Sequence, residues 1–226
     1  MLQILLEPVD LYCERTGPEF WSEPANALTN LAFIAAGLWG LHLTRRLQAG
    51  GFAGLLSWWA IAIGIGSALF HTFANHLTVW ADVLPIAIFT FVYTLYNLRR
   101  FFGFGWQRSL SIFAAFYLAA GVVTALVPEG LRAASNGSTG YLPPFLALVF
   151  FGGWLVVRNH PAGRFNLAAA AIFVASVTFR AVDPHVCGAF PLGTHFLWHL
   201  LNGLMLGVIL TAAAKYARPL ANVSAA

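Results

Sequence analysis

Read for its hydrophobic and polar positions, the chain is a series of long apolar runs separated by short stretches rich in charge, Gly and Pro. A helix that crosses a bilayer needs about 20 predominantly apolar residues. Seven stretches meet that requirement: 26–44, 54–74, 79–97, 109–127, 141–157, 165–181 and 193–214. Residues 1–25 contain no long apolar run and hold five of the eight acids. They have neither the basic start nor the small-residue cleavage site of a signal peptide, so they are expected to remain as an outer acidic segment. Residues 215–226 form a short tail, and no repeat, low-complexity tract or domain linker interrupts the pattern. The expected fold is all-α, a single bundle of seven transmembrane helices.

Composition supports the same class. Hydrophobic residues make up 59% of the chain and charged residues 9%, with a mean hydropathy of +0.75. A soluble domain carries roughly 25% charged residues, so this chain lacks the ionic surface to coat a water-soluble globule. In a soluble protein, a net charge of +4 would suggest a nucleic-acid partner. Here the basic residues are explained by loops on the cytoplasmic face, and the expected partner is the lipid bilayer, with no nucleic acid. Nine of the twelve basic residues (Arg45, Arg46, Arg99, Arg100, Arg108, Arg158, Arg164, Lys215 and Arg218) fall on one side of the seven spans. Arg15, Arg132, Arg180 and all eight acids fall on the other. The positive-inside rule then puts the N-terminus outside and the C-terminus in the cytoplasm.

That topology places Cys13, in the N-terminal segment, and Cys187, in the loop before the last span, on the same outer, oxidising side. A disulfide between them is favoured; the alternative is two unrelated small apolar residues.

An ionisable side chain in hydrocarbon costs at least about 2.5 kcal/mol, so those that survive near spans are candidate site residues. Ser67 and His71 lie four residues apart on one face of the second span, Asp82 opens the third and reads as the only acid within a span, and His195 and His199 lie one turn apart at the start of the seventh. All five fall toward the outer ends of their helices and can converge at one depth. Three imidazoles with an open fourth position are the catalytic type of zinc site, which lowers the pKa of bound water to about 7 and polarises a carbonyl. The competing readings are a hydrogen-bonding partner within the bundle for His71 and a small packing residue for Ser67. The two cysteines are too few and too remote for a thiolate site. His42, His76, His160 and His185 read as solvated or interfacial, and the tryptophans near span ends as an interfacial belt. Asp10, Glu14, Glu19 and Glu23, close to Asn26 and Asn30, could wrap calcium with oxygen ligands, or could be a solvated acidic segment. Their spacing is not that of an EF-hand loop.

With these residues in place, the sequence resembles the alkaline ceramidase family, within the wider superfamily of seven-helix membrane hydrolases that includes the adiponectin-type receptors. The matching pieces are DLYCE (Asp10 to Glu14), EPANALTN (Glu23 to Asn30), GSALFH (Ser67 to His71 within it), Asp82 eleven residues on, and HFLWH (His195 to His199), which together span nearly the whole chain. The resemblance implies zinc held by His71, His195 and His199, Asp82 activating the attacking water, and Ser67 stabilising the oxyanion. It also implies a calcium site on Asp10, Glu14 and Glu23 and the Cys13–Cys187 disulfide. The chain departs from the animal members at Leu11 and Thr16, where they carry an aromatic residue and an Asn, and its Asp10-to-Cys13 spacing is one residue longer. The expected activity is zinc-dependent hydrolysis of the N-acyl bond of ceramide or a similar lipid amide, at a site toward the non-cytoplasmic side of a multi-pass protein. The rival expectation is a non-catalytic receptor or scaffold with a structural zinc. A transporter would need ionisable residues at the midplane, where the sequence has none.

Overall fold

The computed structural model describes residues 2–217, and within them each of the seven apolar runs is helical. Arg218 and most of the expected tail lie outside the described residues. In chain order the helices are α1 (Leu2–Leu5), α2 (Pro24–Thr29), α3 (Leu31–Arg46), α4 (Gly51–Phe73), α5 (His76–Tyr96), α6 (Trp106–Ala125), α7 (Glu129–Ala134), α8 (Leu142–Val157), α9 (Ala162–Val186) and α10 (His195–Lys215). The first span joins α2 to α3, the third extends α5 through a π-helical turn at Asn97–Phe101, and the fifth precedes α8 with a short 3-10 turn at Ser138–Tyr141. All seven are long and apolar enough to cross a membrane. Large apolar side chains such as Leu38, Trp58, Leu118 and Val157 stand exposed on the bundle's exterior, the arrangement that lipid, not water, accommodates.

α10 is the central helix. It packs on α3 and α9, while α4 bridges α3 and α5 and α8 covers α9. The packed interior consists of small and aromatic side chains, among them Ala53, Ala60, Ala169 and Ala213 beside Phe33, Tyr96 and Phe173. Small residues let the backbones approach closely, and packing of this kind holds membrane helices together where lipid removes the hydrophobic drive between them.

One close approach determines the position of a candidate site residue. α4 ends after His71 at Ala74, in the left-handed region with φ 37°, and α5 starts at once on a reciprocal cap between Asn75 and Thr78. The resulting hairpin lays α5 back along α4. At Gly66 the α5 backbone comes so near that a Cβ there would run into the carbonyl of Ala81. Residue 66 must therefore be Gly for Asp82 to reach the level of Ser67.

The sixth span is longer than the sequence pattern suggests. α9 continues past residue 181 through Pro184, so Asp183 is not a loop acid but a fully buried side chain in the last turns of a helix. The pattern stopped short because Arg180, Asp183 and Pro184 together look like a helix end. Asp82 is thus not the only acid inside a span.

The N-terminal segment folds over the end of the bundle where α4 finishes and α10 begins. Val9 donates its backbone N–H to the Ala74 carbonyl at 2.7 Å, and Cys13 is covalently bonded to Cys187 across 174 positions of sequence. Replacing both cysteines with serine is expected to destabilise the fold by roughly 4 kcal/mol on the chain-entropy account of so long a loop. The readouts are the melting temperature in detergent and non-reducing peptide mapping of the parent protein, which is expected to recover the linked pair. A double variant that melts with the parent would contradict the expectation.

Candidate metal centre

His71 comes from the last turns of α4, and His195 and His199 from the first two turns of α10, placed one above the other by the four-residue spacing. All three are buried. Their ring centroids are 5.1 Å apart for His71 and His195, 4.7 Å for His71 and His199, and 4.6 Å for His195 and His199. One ring nitrogen from each lies within 4.8 Å of those of the other two, close enough to hold a metal ion.

The hydrogen bonds around the rings favour this use. His71 Nδ1 is 2.6 Å from Glu23 Oε2, so the carboxylate takes the Nδ1 proton and leaves the Nε2 lone pair free. Glu23 is nearly inaccessible to solvent. Burial alone would raise its pKa, but the hydrogen bonds from His71, Asn26 and Arg15 outweigh burial and hold the carboxyl below its ordinary range. On the other side, Thr29 Oγ1 lies 3.0 Å from His199 Nδ1 while its own proton goes to the Ala25 carbonyl at 2.7 Å, so the hydroxyl accepts from the ring. His71 Nε2, His195 Nδ1 and His199 Nε2 remain as buried nitrogens with no hydrogen-bond partner. Three orphaned imidazole nitrogens in one place are costly without a ligand and natural with a metal.

The start of α10 is held by a residue the sequence reading missed. Asp183 Oδ1 accepts the backbone N–H of Thr194 at 2.6 Å and of His195 at 2.9 Å, while Oδ2 accepts that of Cys13 at 3.0 Å. A buried carboxylate on the free N–H groups of a helix start is favourable for both hydrogen bonding and dipole. Gly193, with φ +66°, is packed so tightly against Asp183 and Cys13 that no side chain fits there. Tyr12 then stacks on His195 at 3.5 Å between centroids, closing the site from the N-terminal side.

Of the two remaining sequence candidates near the histidines, Ser67 is buried one turn before His71 on α4. Asp82 faces Ser67 and lies within Coulombic range of His71 and Arg180. Both therefore lie at the histidine cluster.

The three carboxylates expected to bind calcium are not gathered in the same way. Asp10 is exposed. Glu14 is buried and accepts the backbone N–H groups of Ala25 at 2.6 Å and Asn26 at 2.8 Å, capping α2 from a distance. Glu23 has one oxygen on the Arg15 guanidinium and the other on His71. Arg15 also donates to the carbonyls of Gly17 at 2.8 Å and His71 at 3.1 Å. Arg15 thus occupies one oxygen of Glu23, and Asp10 stands apart from Glu14 and Glu23. Arg15 and Glu23 form a buried ion pair that positions His71. The one sequence signal for it was a lone Arg among the acids of the outer segment.

No protein-family model matches the chain, and no curated protein is similar to it in sequence.

Metal analysis of the purified protein is expected to find about one divalent ion per chain and none in a His195→Ala, His199→Ala double variant. Glu23→Gln, which keeps the shape but not the proton acceptor, is expected to weaken metal affinity about 10- to 100-fold, the usual effect of losing a partner behind a ligand. Stoichiometric metal retained in the double histidine variant would overturn the assignment.

Proposed function

We propose that this chain is a zinc-dependent membrane amidase that hydrolyses the N-acyl bond of ceramide or a similar lipid amide, releasing a fatty acid and a sphingoid-like amine. The observation that carries the reading is the cluster of three buried histidines, each with an imidazole nitrogen that has no hydrogen-bond partner, near Ser67 and Asp82. All-nitrogen ligation by three neutral histidines suits zinc, and leaves a position for substrate. Zinc bound there would supply a water ionised near neutral pH and a Lewis acid for a carbonyl oxygen.

The chain's own groups have separate tasks. Asp82 accepts a proton from the attacking water and returns it to the leaving nitrogen, both on the side of the site facing α4. The Ser67 hydroxyl donates to the carbonyl oxygen as negative charge develops on it. Glu23 and Thr29 fix the tautomers of His71 and His199. Tyr12, stacked over His195, keeps bulk water from that face.

The cavity suits a lipid substrate. It runs along the bundle from Trp198 and Tyr141, near the histidines, to Asn97 and Asn166 near the other end, and its walls are almost wholly apolar. Tyr141 and Phe173 also line a groove on the bundle exterior beside α8 and α9. A chain entering sideways from the bilayer would pass these two rings. The basic residues of the described spans cluster at the opposite end, at the ends of α3, α8 and α10 and the starts of α6 and α9. By the positive-inside rule the site then faces the non-cytoplasmic side.

Asp82→Asn is expected to keep stoichiometric metal and lose about 10²- to 10⁴-fold in turnover of lipid amide, because Asn is nearly isosteric but cannot take a proton. Ser67→Ala is expected to lose less, up to roughly 10²- to 10³-fold, the range for one oxyanion donor. Parent-like turnover in both variants with metal bound would refute the mechanism. A parent protein that binds zinc but turns over no lipid amide would favour a receptor or scaffold.

A further inference from the structure

Arg180 is the one basic side chain at the histidine end that neither the fold nor the proposed chemistry accounts for. It lies three residues before Asp183 on α9. Its Nη1 donates to the Asn136 carbonyl at 2.7 Å and to Ser138 Oγ at 2.8 Å, anchoring the stretch between α7 and α8. None of the ion pairs among the described residues involves it. The guanidinium carbon lies 5.3 Å from the ring centroid of Tyr141, 5.9 Å from Tyr12 and 6.0 Å from Trp198. Two of those rings, Tyr12 and Trp198, stack against His195, and Tyr141 and Trp198 line the apolar cavity. A full positive charge is therefore held in an aromatic cage beside the metal centre, at the cavity's outer end. The charge groups facing it are Asp82, in Coulombic range, and the hydroxyls of Tyr12 and Tyr141.

A tie to the 136–138 stretch needs only one nitrogen and no charge. Arg180 is partly buried, and withdrawing a cation from water without a carboxylate at hydrogen-bond distance is unfavourable to that extent. Aromatic faces recover part of that cost. An anionic ligand would recover more, since guanidinium binds carboxylate or phosphate oxygens in pairs.

We propose that Arg180, framed by Tyr12, Tyr141 and Trp198, is an anion-recognising subsite, and that among the lipid amides the proposed function admits, those whose amine portion carries an anionic oxygen group are favoured over neutral ones such as ceramide itself. With the acyl chain in the apolar cavity and the amide at the histidines, the amine portion is what remains at the cavity's outer end, where the guanidinium waits. The proposal rests on the amidase reading for the orientation of the substrate, but the subsite itself can be read without turnover.

The test uses matched pairs on the purified full chain: N-palmitoylglycine against its neutral glycinamide, and N-palmitoyl phosphoethanolamine against N-palmitoylethanolamine. The parent is expected to favour the anionic member of at least one pair by about 10- to 100-fold in kcat/KM, the size of a lost charge-assisted hydrogen bond. The two pairs distinguish carboxylate from phosphate. Arg180→Gln is expected to erase that preference by slowing the anionic member alone, with metal content unchanged, while Arg180→Lys retains part of it and guards against a folding defect. N-palmitoylglycine is also expected to raise the melting temperature of the parent more than its glycinamide does, and to lose that difference in Arg180→Gln. Equal kcat/KM within both pairs, or an equal loss on both members in Arg180→Gln, would overturn the subsite and leave the amidase standing. The second outcome would mean that Arg180 acts through Asp82 or the loop. The selective thermal shift without hydrolysis of any amide would retain the subsite and dismiss the amidase.

Discussion

The buried carboxylate of Asp183 is where three separated stretches of chain become one site. A carboxylate has room for several donors, and this one takes the N–H groups of Cys13, Thr194 and His195. Without it, the first N–H groups of α10 would be buried with no partner, a cost no membrane-embedded helix start can bear easily. The same three bonds fix the phase at which α10 begins, and so the direction in which His195 and His199 point. The Cys13–Cys187 bond lies directly beside this junction and prevents the outer segment from leaving it.

A second buried acid organises the opposite wall. Glu23 sits just before α2 and reaches His71 at the end of α4, with Arg15 behind it. Breaking one partner of such a buried pair leaves an uncompensated charge, which is far more costly than never having had the pair. The outer segment thus carries structure inward from two points, Cys13 and Tyr12 toward α10, Arg15 and Glu23 toward α4. This explains why a polar stretch with no core of its own is ordered over the bundle: its side chains end in the site.

What the sequence revealed follows from the strength of each signal. Seven runs of apolar residues set the spans, because nothing but a helix can cross lipid with its backbone satisfied. His195 and His199 were readable because four-residue spacing stacks them on one face whatever the surroundings. Asp82 could be placed near them only by its position at a span start; the close contact at Gly66 that brings it to Ser67 is a property of two helices, visible once they are packed. Asp183 was missed because a local reading takes an acid followed by Pro as a helix end, whereas here burial against α10 carries the helix on. The acids of the first segment were read by type as a calcium set, and their partners within the fold were not legible in the sequence. Glu14 spends both oxygens on backbone, and Glu23 is claimed by Arg15 and His71. Arg180, inside the expected sixth span, was counted only as a basic residue on the outer side.

The distribution of charge explains how such a centre survives at the end of an apolar bundle. The three imidazoles can serve a metal only while neutral. The nearest anion to His71, Glu23, is already matched by Arg15, so the pair adds orientation without adding net charge to the site. Asp82 and Arg180 both lie at this end of the bundle, and neither is in a direct ion pair among the described residues. An Asp held so tightly by a guanidinium that the two formed a direct pair would be a poor proton acceptor. In the proposed amidase, the lack of such a pair leaves Asp82 able to take a proton. Gly66 on α4 and the continuation of α9 past residue 181 set where these two charges sit at the histidine end of the bundle.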